Sequence, residues 1–151
     1  MKKLLILLIL FLNLPIYASY NGEINNEWVC FVAGTSITLV DKNSKSIEEI
    51  KVGDEVLSWD EKTGEFQNAK VVKTFEKIAT ELIKIELENN KIIESTPEHP
   101  FYTSKGWISA KEIKPNDLIK GINGFIAVKS ASLEERSPVK VYKFEVEGRD
   151  E

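Results

Sequence analysis

The stretch EIKVGDEVL, Glu49 to Leu57, returns as EIKPNDLIK, Glu112 to Lys120, with Glu, Ile, Lys and Asp at the same relative places. Each copy follows one extended stretch and leads into another, so the pair predicts a β-subunit present twice. Two copies are too few for a solenoid, and suit one compact domain whose halves complete each other's core. Outward from the echo the hydrophobic period is mostly two. ELIKIELE sets Ile83, Ile85 and Leu87 on one face, and VYKFEVE alternates Tyr142, Phe144 and Val146 against Lys143, Glu145 and Glu147. Alternation of this kind is the signature of half-buried strands. Turn-forming runs separate the strands: DKNSK after Val40, DEKTGE after Trp59, ENNK between Leu87 and Ile92, and GINGF from Gly121. The reading is an all-β, largely antiparallel domain. Only SAKEI, from Ser109, reads as a helical turn, while ASLEERS reads as either a loop or a short helix.

The first residues, MKKLLILLILFLNLPIYASY, place a short basic head (Lys2, Lys3) before an apolar run from Leu4 to Leu12, a breaker at Pro15 and a small residue at Ala18. This is the pattern of a secretory signal peptide over residues 1–18. The run falls short of the roughly 20 apolar residues that span a bilayer, so no stable membrane anchor is expected after cleavage. Residues 19–29 are polar and Asn-rich, a short arm ahead of a domain expected over residues 30–148. The expected location is secreted or periplasmic. Among the 151 residues 20 are basic and 24 acidic, a net charge of −4 that becomes more negative once the leader lysines are removed. That balance argues against nucleic acid as a partner.

The chain holds one cysteine, Cys30, in WVCFVAGTSI, and one histidine, His99, in STPEHPF. An unpaired cysteine in an exported protein is an intermolecular partner, an inert buried thiol or a reactive one. His99 can equally be an ordinary turn histidine, and Thr96 a turn residue. Pro97 favours the second position of a turn, and prolines after Thr96 and His99 push both toward extended backbone. The corner is therefore rigid, able to aim a hydroxyl and an imidazole at one point. One Cys and one His cannot build a metal cluster, and no glycine-rich phosphate loop is present, so no metal and no cofactor is expected.

Several segments in order, CFVAGTSI, IEEIKVGDEVLSWD, STPEHPFYT, GWISAKEIKPNDLI and VYKFEVEG, resemble the Hint family, which includes inteins, bacterial intein-like proteins, the Hedgehog C-terminal domain and pretoxin processing modules. The resemblance spans Cys30 to about Gly148. It implies a horseshoe-shaped all-β fold built from two pseudo-two-fold related halves, and a substrate that is the chain itself. By the resemblance, Cys30 attacks the carbonyl of Val29 in an N-to-S acyl shift that turns the Val29–Cys30 peptide into a thioester. Thr96 would hydrogen-bond the scissile amide or the developing oxyanion, and His99 would protonate the departing nitrogen.

The family's late segment continues to a histidine and then to a strand ending in His-Asn before a Cys, Ser or Thr. Here VYKFEVEG is followed by GRDE, with Asp150 about where the histidine would sit. Full splicing is therefore not expected, and the absent last strand would leave an open edge beside the site. A complementary C-terminal Hint fragment could supply it, autocleavage could stop at the thioester, or the domain could be an inert remnant. Two rival readings follow: a catalytically inactive or split Hint-like β-module acting in binding, and a Cys-His hydrolase acting on other substrates.

Overall fold

The computed structural model describes residues 29–60 and 62–147, together with the backbone of two dipeptides upstream. Those dipeptides are strands β1 (Leu5–Ile6) and β2 (Ala18–Ser19), paired with each other, with Leu5 also opposite Val146. The rest of the expected leader and arm up to and including Trp28, together with residues 61 and 148–151, lie outside the described residues.

The body is all-β. β3 (Phe31–Val32), β4 (Ser36–Thr38), β5 (Ser44–Ser46), β6 (Glu55–Asp60) and β7 (Glu65–Leu87) form the first half. β8 (Ile92–Ser95), β9 (Pro100–Thr103), β10 (Gly106–Ser109), β11 (Leu118–Gly121) and β12 (Gly124–Val146) form the second. All pairings are antiparallel. The long strands β7 and β12 pair with each other along most of their length, while β3 is inserted between β12 and β8.

The echo in the sequence is an echo in the backbone. Ile47–Glu49 and Ala110–Glu112 are matching 3-10 turns, flanked by Ser46 and Ser109 and closed by Ile50 and Ile113 N–H bonds of 3.2 Å. Lys51 N–H donates to Asp54 Oδ2 and Lys114 N–H to Asp117 Oδ2, both at 2.9 Å. Gly53 N–H donates to Val71 C=O as Asn116 N–H donates to Val128 C=O, each at 2.8 Å, and the Val71 and Val128 N–H groups donate back to the carbonyls of Asp54 and Asp117, also at 2.8 Å. Gly53 and Asn116 sit at positive φ, 95° and 75°, a region open to glycine and tolerated by asparagine, which is why the two copies differ there as Gly and Asn. Each half then meets the other at its end: Glu88 N–H bonds Ala127 C=O, and Glu147 N–H bonds Lys70 C=O. The pseudo-two-fold arrangement follows from this exchange.

ASLEERS, left between loop and helix by its sequence, lies within β12. A sequence mixing polar and apolar residues without clean alternation still pairs here, because β7 supplies a partner along Val128–Glu135. Pro138, which has no N–H to give a ladder, falls in the register shift between Glu135 and Val139.

Two apolar clusters form. The larger gathers Phe31, Ile37, Ile85, Leu87, Phe101 and Val128 among others, each contributing on the order of 1.5–3 kcal/mol through burial. The smaller holds Cys30, Ala79, Leu82 and Val141, with Val32 and Val139 against it. Alternation along β3 explains the division, since Phe31 and Cys30 point to opposite faces.

Candidate active site

Three elements bring the sequence-distant residues together. Cys30 precedes β3, which is held on both sides, Phe31 facing Tyr142 of β12 and Ser95 of β8. Thr96 follows β8. Its N–H donates to Cys30 C=O at 3.0 Å, and its Oγ1 accepts the Cys30 N–H at 3.0 Å, with a longer 3.4 Å contact from Oγ1 to the same carbonyl. The nitrogen so held belongs to the Val29–Cys30 peptide. The turn expected from Pro97 is present: His99 N–H donates to Thr96 C=O at 3.1 Å, and Pro97 occupies the second position. The turn is tied down by the second 3-10 turn, through Ala110 N–H to His99 C=O at 2.8 Å and Lys111 N–H to Pro97 C=O at 3.0 Å.

The His99 ring is buried against Phe31, ring centroids 3.9 Å apart, and edge-on to Phe101 at 5.2 Å. Neither ring nitrogen has a hydrogen-bond partner among the described residues, so His99 makes no hydrogen bond to Cys30. A buried, unpaired imidazole costs of the order of 1–3 kcal/mol, and sites that carry such a cost are candidates for a proton-transfer role. Burial also pushes its pKa down to about 3, so the ring is neutral at physiological pH. A neutral imidazole has one nitrogen that accepts a proton and one that donates.

The Cys30 thiol is fully buried, and Val29 ahead of it is buried as well. Burial raises its pKa to about 11, opposed by the positive charges of Lys143 and Lys77. The thiolate is then only about one part in ten thousand at pH 7. The thiol packs with Ala79, Leu82 and Val141 and the imidazole against Phe31, on opposite faces of β3, while Thr96 holds the Cys30 amide nitrogen. No group of three His, Cys, Asp or Glu side chains that could hold a metal is present among the described residues.

Duplicated halves closing on each other around a cysteine-led strand define a Hint-type, self-processing class of domain, whose members act on their own polypeptide. The chain matches the family described as "Pretoxin HINT domain" over residues 37–150, and it belongs to that family. The match includes Thr96 and His99 and begins after Cys30. Among solved structures, the bacterial intein-like domain from Clostridium thermocellum is 33% identical with a TM-score of 0.73, over 78% of this chain and 86% of that one. The gp41-1 intein is 25% identical with a TM-score of 0.63, over 79% of this chain and 88% of its own. The DnaB intein of Synechocystis sp. PCC 6803, 20% identical with a TM-score of 0.66 over 78% and 86%, shares the fold. Among curated proteins, a probable translation initiation factor IF-2 of Pyrococcus abyssi is 34% identical over 77 residues, 51% of this chain. The chain spans only 8% of that relative, and 3% of the corresponding protein of Thermococcus kodakarensis.

The sequence singled out Cys30, Thr96 and His99, and two of them are joined by direct hydrogen bonds. It did not single out Lys143 or Lys77. Both sit in alternating strands where a lysine reads as solvent-facing, and only the strand pairing puts them near the thiol.

Proposed function

We propose that the domain cleaves its own chain at the Val29–Cys30 bond. Cys30 Sγ attacks the Val29 carbonyl carbon, the C–S bond forms as the C–N bond breaks, and the Cys30 nitrogen gains a proton as the thiol loses one. Water then hydrolyses the thioester, releasing the upstream segment with a carboxylate at Val29 and regenerating the thiol. The observation that carries this reading is the 3.0 Å hydrogen bond from the Cys30 N–H to Thr96 Oγ1. An acceptor oxygen on the leaving nitrogen gains strength as that nitrogen takes a proton, because charge-assisted hydrogen bonds are about twice as strong as neutral ones. Stabilisation that grows toward the transition state is what accelerates a reaction.

The thiol rests protonated and the imidazole neutral. His99 would deliver the proton to the departing Cys30 nitrogen, a general acid contribution of about 10²–10⁴ in rate, with the ring taking that proton from solvent and the thiol proton passing to solvent as the sulfur attacks. Export through the residue 1–18 leader would put the event in a secreted or periplasmic setting.

The reading is tested by intact-mass measurement of the purified chain with and without hydroxylamine, which cleaves thioesters. The expected result is loss of the segment before Cys30, faster with hydroxylamine and absent in Cys30→Ala. A second reading, an inert or split β-module that binds a complementary fragment, draws on the burial of the thiol and its raised pKa. Unchanged mass in both conditions selects it. Turnover of added ester with the chain intact would select an intermolecular hydrolase.

A further inference from the structure

β3 and β12 are in register as Val32 opposite Val141 and Phe31 opposite Tyr142, so the next step sets Cys30 opposite Lys143. Directly opposed residues of an antiparallel pair project to the same face. On its other edge β12 sets Lys143 opposite Phe75 and Val141 opposite Lys77 of β7. One face of this three-strand strip thus carries Cys30 and Val32, Val141 and Lys143, Phe75 and Lys77, and the packing of Cys30 with Val141 agrees with that alignment.

We propose that Lys143, with Lys77 beside it, is a positioning residue that holds positive charge on the face of the sheet where the Cys30 sulfur reacts. The proposal rests on the reading of Cys30 as the nucleophile and names how that buried sulfur is brought toward its reactive form.

Lys143 is half-buried, and its Nζ lies 4.7 Å from the centroid of the Phe75 ring, a cation–π contact that keeps the ammonium on the sheet. Lys73 sits over the same ring, also at 4.7 Å. The charged groups around the thiol can be named element by element. On its face β12 brings Lys143 and Glu145, and Glu145 stands opposite Lys73. β7 brings Lys73 and Lys77. The opposite face carries a balanced pair, Lys140 with Glu76 at 3.6 Å. From β8 the nearby acid is Glu94, held by Arg136. Among the described residues, the stretch of this face alongside Cys30 thus carries Lys73, Lys77 and Lys143 with Glu145, while Lys140 and Glu76 pair on its reverse.

Burial raises the thiol's pKa more than the lysines lower it, so the thiol stays protonated at rest. A nearby cation then acts when negative charge grows on sulfur during attack, and its effect vanishes once the sulfur is acylated and neutral.

The test is a titration of the full chain labelled with 13Cβ-cysteine, in which the Cys30 signal reports ionisation directly, alongside hydroxylamine-induced scission. Lys143→Met is expected to raise the Cys30 midpoint by about half a unit or more, reducing thiolate about threefold at a given pH. Scission should slow by a similar factor. Lys143→Arg should return both toward wild type, and Lys140→Met, on the reverse face, should change neither. Should Lys143→Met fail to fold, Lys77→Met and Lys143→Gln are read in the same way. A folded Lys143 variant whose Cys30 midpoint matches wild type overturns the proposal. If the midpoint shifts as expected but the wild-type mass never changes with hydroxylamine, it is the self-cleavage reading that fails, and the charge assignment stands apart from it.

Discussion

Thr96 Oγ1 accepts the backbone N–H of Cys30 at 3.0 Å, and the Thr96 N–H answers with a 3.0 Å bond to the Cys30 carbonyl, so one threonine grips both peptide units around the thiol. Sixty-six positions separate the two residues in sequence. The grip is two-sided because Thr96 is the last extended residue before the Pro97 turn, where its backbone still faces the residue beside β3.

Removing the hydroxyl while keeping the shape isolates its part. Thr96→Val is expected to slow scission by about 10²-fold or more, in the range found when a single positioned hydrogen-bonding group is lost from a transition state. Thr96→Ser should recover much of that rate. The checking measurement is the hydroxylamine-induced cleavage rate by mass, with the unfolding midpoint confirming that each variant is folded.

His99 makes the stability of the domain depend on pH on the acid side. Its folded pKa of about 3 lies below the ordinary histidine value near 6.5, so between those values the unfolded chain binds the extra proton. Stability from this group is complete above about pH 6.5 and declines as pH falls toward 3, with a slope of at most about 1.4 kcal/mol per pH unit. Denaturant midpoints measured from pH 7 down to 4 should fall more steeply for wild type than for His99→Phe. That variant should remain folded and fail to cleave, and scission persisting in it would remove the proton-transfer role.

Cys30 gives the opposite limb. Its folded pKa, raised by burial to about 11 from an ordinary 9, keeps the thiol protonated while the unfolded chain ionises. Stability should therefore begin to fall above about pH 9, and this part of the decline should be missing in Cys30→Ala. Alkylation by iodoacetamide at neutral pH should be slow in the native chain and rapid in denaturant, because the native thiol is both buried and un-ionised.

The repeated turns should be energetically similar. Asp54 and Asp117 each accept a backbone N–H three residues upstream at 2.9 Å and each receives a lysine, Lys45 at 2.9 Å and Lys105 at 3.4 Å. Asp54→Ala and Asp117→Ala are each expected to cost about 1–2 kcal/mol of stability, chiefly from the lost backbone bond, with the partly solvent-screened ion pairs adding less. Chemical denaturation of both variants checks the symmetry. Two clearly unequal losses would show that one copy of the turn bears more of the fold than the other.

What could be read in advance was set by local rules. Residues that need a special backbone angle or a turn bond declare themselves in order along the chain, and EIKVGDEVL with EIKPNDLIK carried the duplication because Asp54 and Asp117 close their turns within four residues. The STPEHP corner was legible for the same reason, as Pro97 restricts its neighbours by sterics alone. β12 was not legible through ASLEERS, since pairing with a distant partner strand replaced the missing hydrophobic alternation.

By itself the sequence determined an all-β domain with two related halves, a rigid turn bearing Thr96 and His99, and one thiol in an apolar run at the start of the domain. Only the tertiary structure decided that Thr96 holds the Cys30 nitrogen, that the thiol and the imidazole lie on opposite faces of β3, and that two lysines share the sulfur's face. The physical reason is range. Turn geometry depends on neighbours a few residues apart, whereas the protonation state of a buried group depends on which strands fold over it and which charges their register brings alongside.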